Sequence, residues 1–111
     1  MDAAARGAAQ AGGLVVGVLP GDSATAANEW VDIALPTGMG EGRNVLVVRA
    51  CDVVVAVGGS WGTLTEVAFA RRTGKPVVSL RGWSVDGPDD DGVVPVLTAD
   101  EALAAVARLL S

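Results

Sequence analysis

The chain contains no histidine and no tyrosine, one cysteine, Cys51, and one lysine, Lys75. Without histidine, and with a lone thiol, no Cys/His metal cluster can be assembled and no intrachain disulfide can close. Cys51 stands before an apolar strand and reads as a small buried hydrophobe. Aromatics are scarce too: Trp30, Trp61, Phe69 and Trp83 are the whole set. The core therefore falls to Val, Leu and Ala, the palette of a parallel sheet covered by small-residue helices. Positive charge is limited, with Lys+Arg 8 against Asp+Glu 13, a formal net charge of −5 and a pI of about 4.4. Non-specific nucleic-acid binding needs a Lys/Arg footprint that this composition does not supply. The apolar runs are far shorter than a membrane span. The start, Met1-Asp2-Ala3-Ala4-Ala5-Arg6, does not have the form of a secretory signal. The expectation is a cytoplasmic protein whose partners include neither nucleic acid nor membrane.

With 111 residues, a single domain over 1–111 is expected, burying roughly two-thirds of its unfolded surface. Residues 2–11 are Ala-rich and read as a helix stopped by Gly12-Gly13. Leu14 to Leu19 is a continuous apolar run closed by Pro20-Gly21, the pattern of a buried strand. Residues 22–29 read as a loop or short helix, 31–35 as a short or edge strand, and 36–42 as a glycine-punctuated loop. Arg43 to Ala50 reads as a helix. Val53-Val54-Val55-Ala56-Val57 is the clearest strand, without polar alternation and so expected to be buried on both faces. A helix over 64–73 ends at Gly74 with Pro76 beyond, and Val77 to Leu80 is the next strand. Residues 81–93 read as a mobile polar loop. Val94 to Leu97 follows, with Pro95 marking an edge strand, and Thr98-x-x-Glu101 opens a C-terminal helix as a capping box. This alternation predicts an α/β fold with a parallel, Rossmann-like sheet and helices on both faces.

In such a sheet ligands sit beyond the carboxyl ends of the strands. Gly58-Gly59-Ser60-Trp61-Gly62-Thr63 lies there, after the best strand in the chain. Gly58 and Gly59 would allow unusual backbone angles and close ligand approach. Gly62-Thr63 would present free amides at a helix start, where the dipole favours an anion, and the Thr63 hydroxyl could add to them. The alternative is a tight connection with no ligand. Glu66 also has two readings: the acidic half of a Thr63-x-x-Glu66 capping box, or a carboxylate reaching past a bound phosphate to a reacting centre or an arginine. Arg43, at the start of the helix leading into the central strand, is the candidate arginine, since a guanidinium grips phosphate in two-pronged fashion; otherwise it is a solvated surface residue. Trp61 could stack on a base or pack on a partner chain, whereas Trp30 and Trp83 read as packing or dimer contacts. Arg71-Arg72 suit the negative end of a helix, and Asp89-Asp90-Asp91 read as a solvated loop, not a metal site.

Gly58 to Glu66 resembles the PGGxGTxxE signature of the "lonely guy" phosphoribohydrolases, long misannotated as lysine decarboxylases. Gly42-Arg43-Asn44 is in register with that family's Arg-Lys element, and Ala11-Gly12-Gly13 through Leu19-Pro20-Gly21 is similar to its "AGG…vvGilPg" stretch. Asn44 in place of lysine resembles a sister group of uncharacterised nucleotide-binding Rossmann proteins that includes the algal molybdenum-cofactor carrier. Family members begin with a β-α-β segment that has no counterpart here; Met1-Asp2-Ala3-Ala4 matches an internal point, so a natural chain longer at its N-terminus is expected. The resemblance implies a phosphorylated small ligand, of nucleotide or molybdopterin type, on Gly58, Gly59, Ser60, Trp61, Gly62, Thr63 and Arg43. It implies no metal or separate cofactor, and a homodimer or higher assembly. Three functions stay open: a binding or carrier protein; a 5′-phosphoribohydrolase with Glu66 and Arg43 as catalytic residues; and a fragment without activity. Lysine decarboxylation is excluded, because nothing indicates a pyridoxal site.

Overall fold

A computed structural model describes residues 1–85, 87–88 and 92–111. Contacts group the chain into two compact units, Met1–Leu46 and Val47–Ser111. The architecture is α/β throughout, with parallel strand pairing and helices between strands.

In the first unit, α1 (Asp2–Gln10) precedes two parallel strands, β1 (Val16–Leu19) and β2 (Ile33–Pro36). Val16 lies opposite Ile33 and Leu19 opposite Pro36. Below the ladder, the Asp32 carboxylate accepts from the Val15 amide at 2.8 Å; above it, the Thr37 hydroxyl donates to the Leu19 carbonyl at 2.7 Å. The strand expected over 14–19 is shorter and less buried than its apolar run suggests. Leu14 and Val16 are exposed, since β1 has a single strand neighbour in a two-stranded sheet. Helix α2 (Arg43–Ala50) follows a single turn of 3₁₀-helix and carries the chain across the division between the units.

The second unit is a three-stranded parallel sheet in the order β3 (Val54–Val57), β4 (Val77–Leu80), β5 (Val93–Val96). Helices α3 (Trp61–Arg72) and α4 (Ala99–Leu110) follow β3 and β5. Successive side chains of a strand point to opposite faces, and each face has its own core. Val54, Ala56 and Val77 pack with Val67 and Ala70 of α3 and Val48 of α2. Val78 and Val96 pack with Ala102 and Ala105 of α4. Small alanines let both helices approach the sheet closely. Pro95 falls on an edge strand, as its missing N–H requires.

The expectation that Val53–Val57 is buried on both faces is corrected. Val54 and Ala56 are buried, but Val55 and Val57 are 42% and 52% exposed. The reason is placement: α4 packs on β4 and β5 and does not extend over β3. At the far end of the unit, Lys75 donates its ammonium to the carbonyls of Arg49 and Cys51, closing the end of α2. Burial pushes the Cys51 thiol above its usual range, and the Lys75 charge offsets part of that rise.

The two faces of β3 and β4 should respond differently to truncation. Val78→Ala removes two methyl groups from a sealed core and should cost about 2–3 kcal/mol. Val55→Ala, on the open face, should cost less than about 1 kcal/mol. Urea unfolding of both variants checks this, and equal losses would contradict the open face.

Candidate functional site

β3 hands the chain to α3 through three residues. The Gly58 amide makes a bond at the end of the ladder, to the Leu80 carbonyl at 3.1 Å. Gly58 then takes a φ of +85, which a residue with a Cβ adopts only at a cost. Gly59 has no such angle, so the expectation of unusual angles at both glycines holds for Gly58 alone. A Cβ on either glycine would meet nothing within 4 Å, so the space above the loop is open.

Ser60, in extended conformation, is the N-cap: its Oγ accepts from the Thr63 amide at 3.1 Å. The Leu64 amide bonds the Ser60 carbonyl at 3.1 Å. Helix α3 therefore begins at Trp61, not at residue 64, because the cap lies three residues before Thr63. Two consequences follow. The Thr63 hydroxyl is shared with Ser60 Oγ at 2.9 Å. The reading of Thr63-x-x-Glu66 as a capping box is overturned, since Thr63 is itself the third helical residue and Glu66 lies in the second turn. The Thr98-x-x-Glu101 pattern, by contrast, does cap α4, with Thr98 Oγ accepting from the Glu101 amide at 3.1 Å. Half-buried Glu66 shares a helix face with Gly62, four residues earlier, and helical side chains lean toward the N-terminus.

With the cap in place, the amides of Gly59, Ser60, Trp61 and Gly62 take no acceptor among the described residues. They lie at the carboxyl edge of a parallel sheet and at the positive end of a helix.

The loop is held from behind by residues that sequence reasoning assigned to a polar loop. The indole N–H of Trp83 donates to the Ser60 carbonyl at 2.8 Å. The hydroxyl of Ser79, 2% exposed, donates to the Trp83 carbonyl at 2.7 Å. Any side chain on Gly82 would collide with the Gly58 carbonyl. Arg81, the one non-glycine at positive φ among the described residues (φ 50), donates its amide to the Val96 carbonyl at 3.0 Å and its Nε to the Leu97 carbonyl at 2.7 Å. Residues 81–83 are thus pinned between the loop and β5. One signal for this was available: in a chain so poor in aromatics, one tryptophan opens the helix after β3 and another stands just after β4. The rings of Trp61 and Trp83 lie 4.9 Å apart at 44°. An open hollow of about 440 Å³ adjoins the loop, lined by Val57, Gly58, Leu80, Arg81 and the start of α4 at Thr98.

Arg43 belongs to the first unit and the loop to the second. The Arg43 guanidinium donates to the Val18 carbonyl at 2.6 Å and to the Asn44 side chain at 2.8 Å, and so sits at the carboxyl end of β1. Among the described residues no three His, Cys, Asp or Glu side chains cluster as metal ligands. Asp89-Asp90-Asp91 lie outside the described residues. No helix among those residues is long and apolar enough to cross a membrane.

Comparison with known proteins matches residues 1–106 to the model of the SLOG cluster4 family. An uncharacterised protein of Archaeoglobus fulgidus is 44% identical over 81 residues, 73% of this chain and 53% of that protein, so the chain spans about half the length of this relative. The molybdenum cofactor binding protein of the phototrophic bacterium Rippkaea orientalis superposes with a TM-score of 0.84 at 32% identity, over 97% of this chain and 69% of that one. The molybdenum cofactor carrier protein of Chlamydomonas reinhardtii superposes with a TM-score of 0.81 at 38% identity, over 96% of this chain and 68% of that one.

The two supports of the loop should separate on mutation. Ser60→Ala removes the cap and should cost about 1 kcal/mol. Gly82→Ala forces the backbone off the Gly58 carbonyl and should cost about 1–3 kcal/mol, as overpacking does. Denaturant unfolding followed by tryptophan fluorescence measures both; an unperturbed Gly82→Ala would show that residues 81–83 do not brace the loop.

Proposed function

The chain belongs to the SLOG cluster4 family, and from that premise we propose that it binds a phosphorylated, nucleotide-like small ligand on the Gly58–Thr63 loop, as a cytoplasmic protein and as a dimer or higher assembly. The observation that carries this reading is the set of four amides, Gly59 to Gly62, left without acceptors at a helix N-terminus. A phosphate oxygen accepts from such groups and meets the positive end of the helix dipole. Open space over Gly58 and Gly59 leaves room for it. The acidic composition offers no general attraction to anions, so the affinity must be local. A carrier for a molybdopterin-type ligand is the form of this reading favoured by the similarity to the Rippkaea and Chlamydomonas proteins.

In a thermal melt, a phosphorylated ligand at 100 times its Kd should add about 2.7 kcal/mol, a rise in Tm on the order of 10 °C. AMP and a pterin phosphate are suitable probes. Gly59→Asp introduces a like charge where a Cβ meets open space, so it should fold and lose that shift, while Gly59→Ala should keep most of it. No shift with either probe in the wild type would defeat the reading.

A hydrolase reading is favoured by one specific observation: Glu66 is half-buried in the second turn of α3, the helix that the loop opens. With a nucleoside 5′-monophosphate bound, its carboxylate would stabilise the positive charge developing on the ribose and orient the attacking water. Incubation with AMP or a cytokinin riboside monophosphate should then release free base, and Glu66→Gln should reduce release by at least about 100-fold. Wild-type release no faster than Glu66→Gln removes this reading and leaves binding intact.

A further inference from the structure

Trp61 is 75% exposed, although it is one of only four aromatic residues in a chain whose core is short of large side chains. Burying a tryptophan removes well over a hundred Å² of surface from water, so leaving one out forgoes stability that a small domain needs. Its position does not explain it either. The first helical residue favours proline, and the first turn favours acidic side chains. Nor is the ring loosely placed. Trp83 stands against it with centroids 4.9 Å apart at 44°, and Trp83 is itself fixed through its indole N–H on Ser60 and its carbonyl on Ser79. The Trp61 indole N–H takes no acceptor among the described residues. One face of a braced aromatic pair is therefore presented to solvent, with a free donor at its edge.

We propose that Trp61, backed by Trp83, is a stacking platform for a flat nitrogen heterocycle, a purine or a pterin, of a phosphate-bearing ligand. This rests on the reading of Gly59–Gly62 as the phosphate cradle, and adds to it the class of the group beyond the phosphate. The Trp61 amide and the Trp61 ring belong to one residue, so the ring lies within the reach of a ligand whose phosphate is held at that amide. Stacking on an exposed indole tolerates any flat base and needs no basic surface, which suits a chain of net charge −5. The competing occupant is an aromatic or apolar group of a second copy of the chain.

The test compares ligands that share a phosphate and differ in the ring. AMP, GMP and 6-hydroxymethylpterin phosphate are titrated beside ribose 5-phosphate and inorganic phosphate, with tryptophan fluorescence and calorimetry as readouts. Base–aromatic stacking is typically worth about 1–3 kcal/mol per base, which converts to a preference of about 5- to 150-fold for at least one ring-bearing probe over ribose 5-phosphate. Trp61→Leu should abolish that preference and the fluorescence quench while leaving the ribose 5-phosphate affinity unchanged; Trp61→Phe should retain part of it. Preference for the purines or for the pterin identifies the ring. Equal affinity for ring-bearing and ring-free phosphates overturns the platform and leaves the cradle standing. A Trp61→Leu variant that weakens every probe alike, or that keeps the preference but changes the oligomeric state, also overturns it and assigns the ring to loop structure or to a second copy. No binding of any phosphate removes cradle and platform together.

Discussion

Ser60 is the residue on which the carboxyl edge of the second unit depends. Its hydroxyl oxygen takes the Thr63 amide, and its carbonyl takes both the Leu64 amide and the Trp83 indole. The Ser60 oxygens are thereby turned inward, onto the helix and onto the brace behind it. The first amides of a helix have no carbonyl one turn earlier to accept from them, so the amides from Gly59 to Gly62 stay without acceptors among the described residues while the Ser60 oxygens are engaged. The positive φ of Gly58 contributes by reversing the chain between the last ladder bond and the cap.

That arrangement needs a rigid backing, and the parallel sheet provides it. β4 lies beside β3 in register, Val57 opposite Leu80, so whatever follows Leu80 emerges next to whatever follows Val57. Gly82 allows the two backbones to approach, and Ser79, buried at the end of β4, holds the Trp83 carbonyl. Buried polar groups are retained where they have partners, and here the partner is the segment that braces the loop. Arg81, with its left-handed backbone angle, makes the corner between β4 and that segment and ties it to β5. A strained angle of this kind is sustained by the bonds around it.

The second unit is finished unevenly. One face of its sheet is sealed by α3 and the end of α2; the other is covered by α4 over β4 and β5, leaving Val55 and Val57 open. An apolar strand sequence reports only that its residues prefer to be out of water, and whether a helix reaches them is a matter of packing.

Much of this was readable in one dimension. Apolar runs closed by glycine and proline placed all five strands within two residues, and the α/β alternation dictated parallel strands with a carboxyl edge after Val57. The C-terminal helix and its Thr98 cap followed from a four-residue pattern, because capping is a local interaction between groups close in the chain. The glycine loop was recognisable for the same reason. Local pattern failed where two local solutions compete: Ser60 and Thr63 both make good caps three residues before a possible partner, and only the direction in which the chain leaves β3 selects Ser60. That choice moved the helix start to Trp61 and placed Glu66 in the second turn. The contacts of Trp83 and Gly82 with the loop were beyond the reach of sequence, since they join positions more than twenty residues apart and exist only because β3 and β4 are neighbours. Residue type and spacing determined that an anion-binding turn could form here; strand pairing decided which groups brace it and which amides remain free.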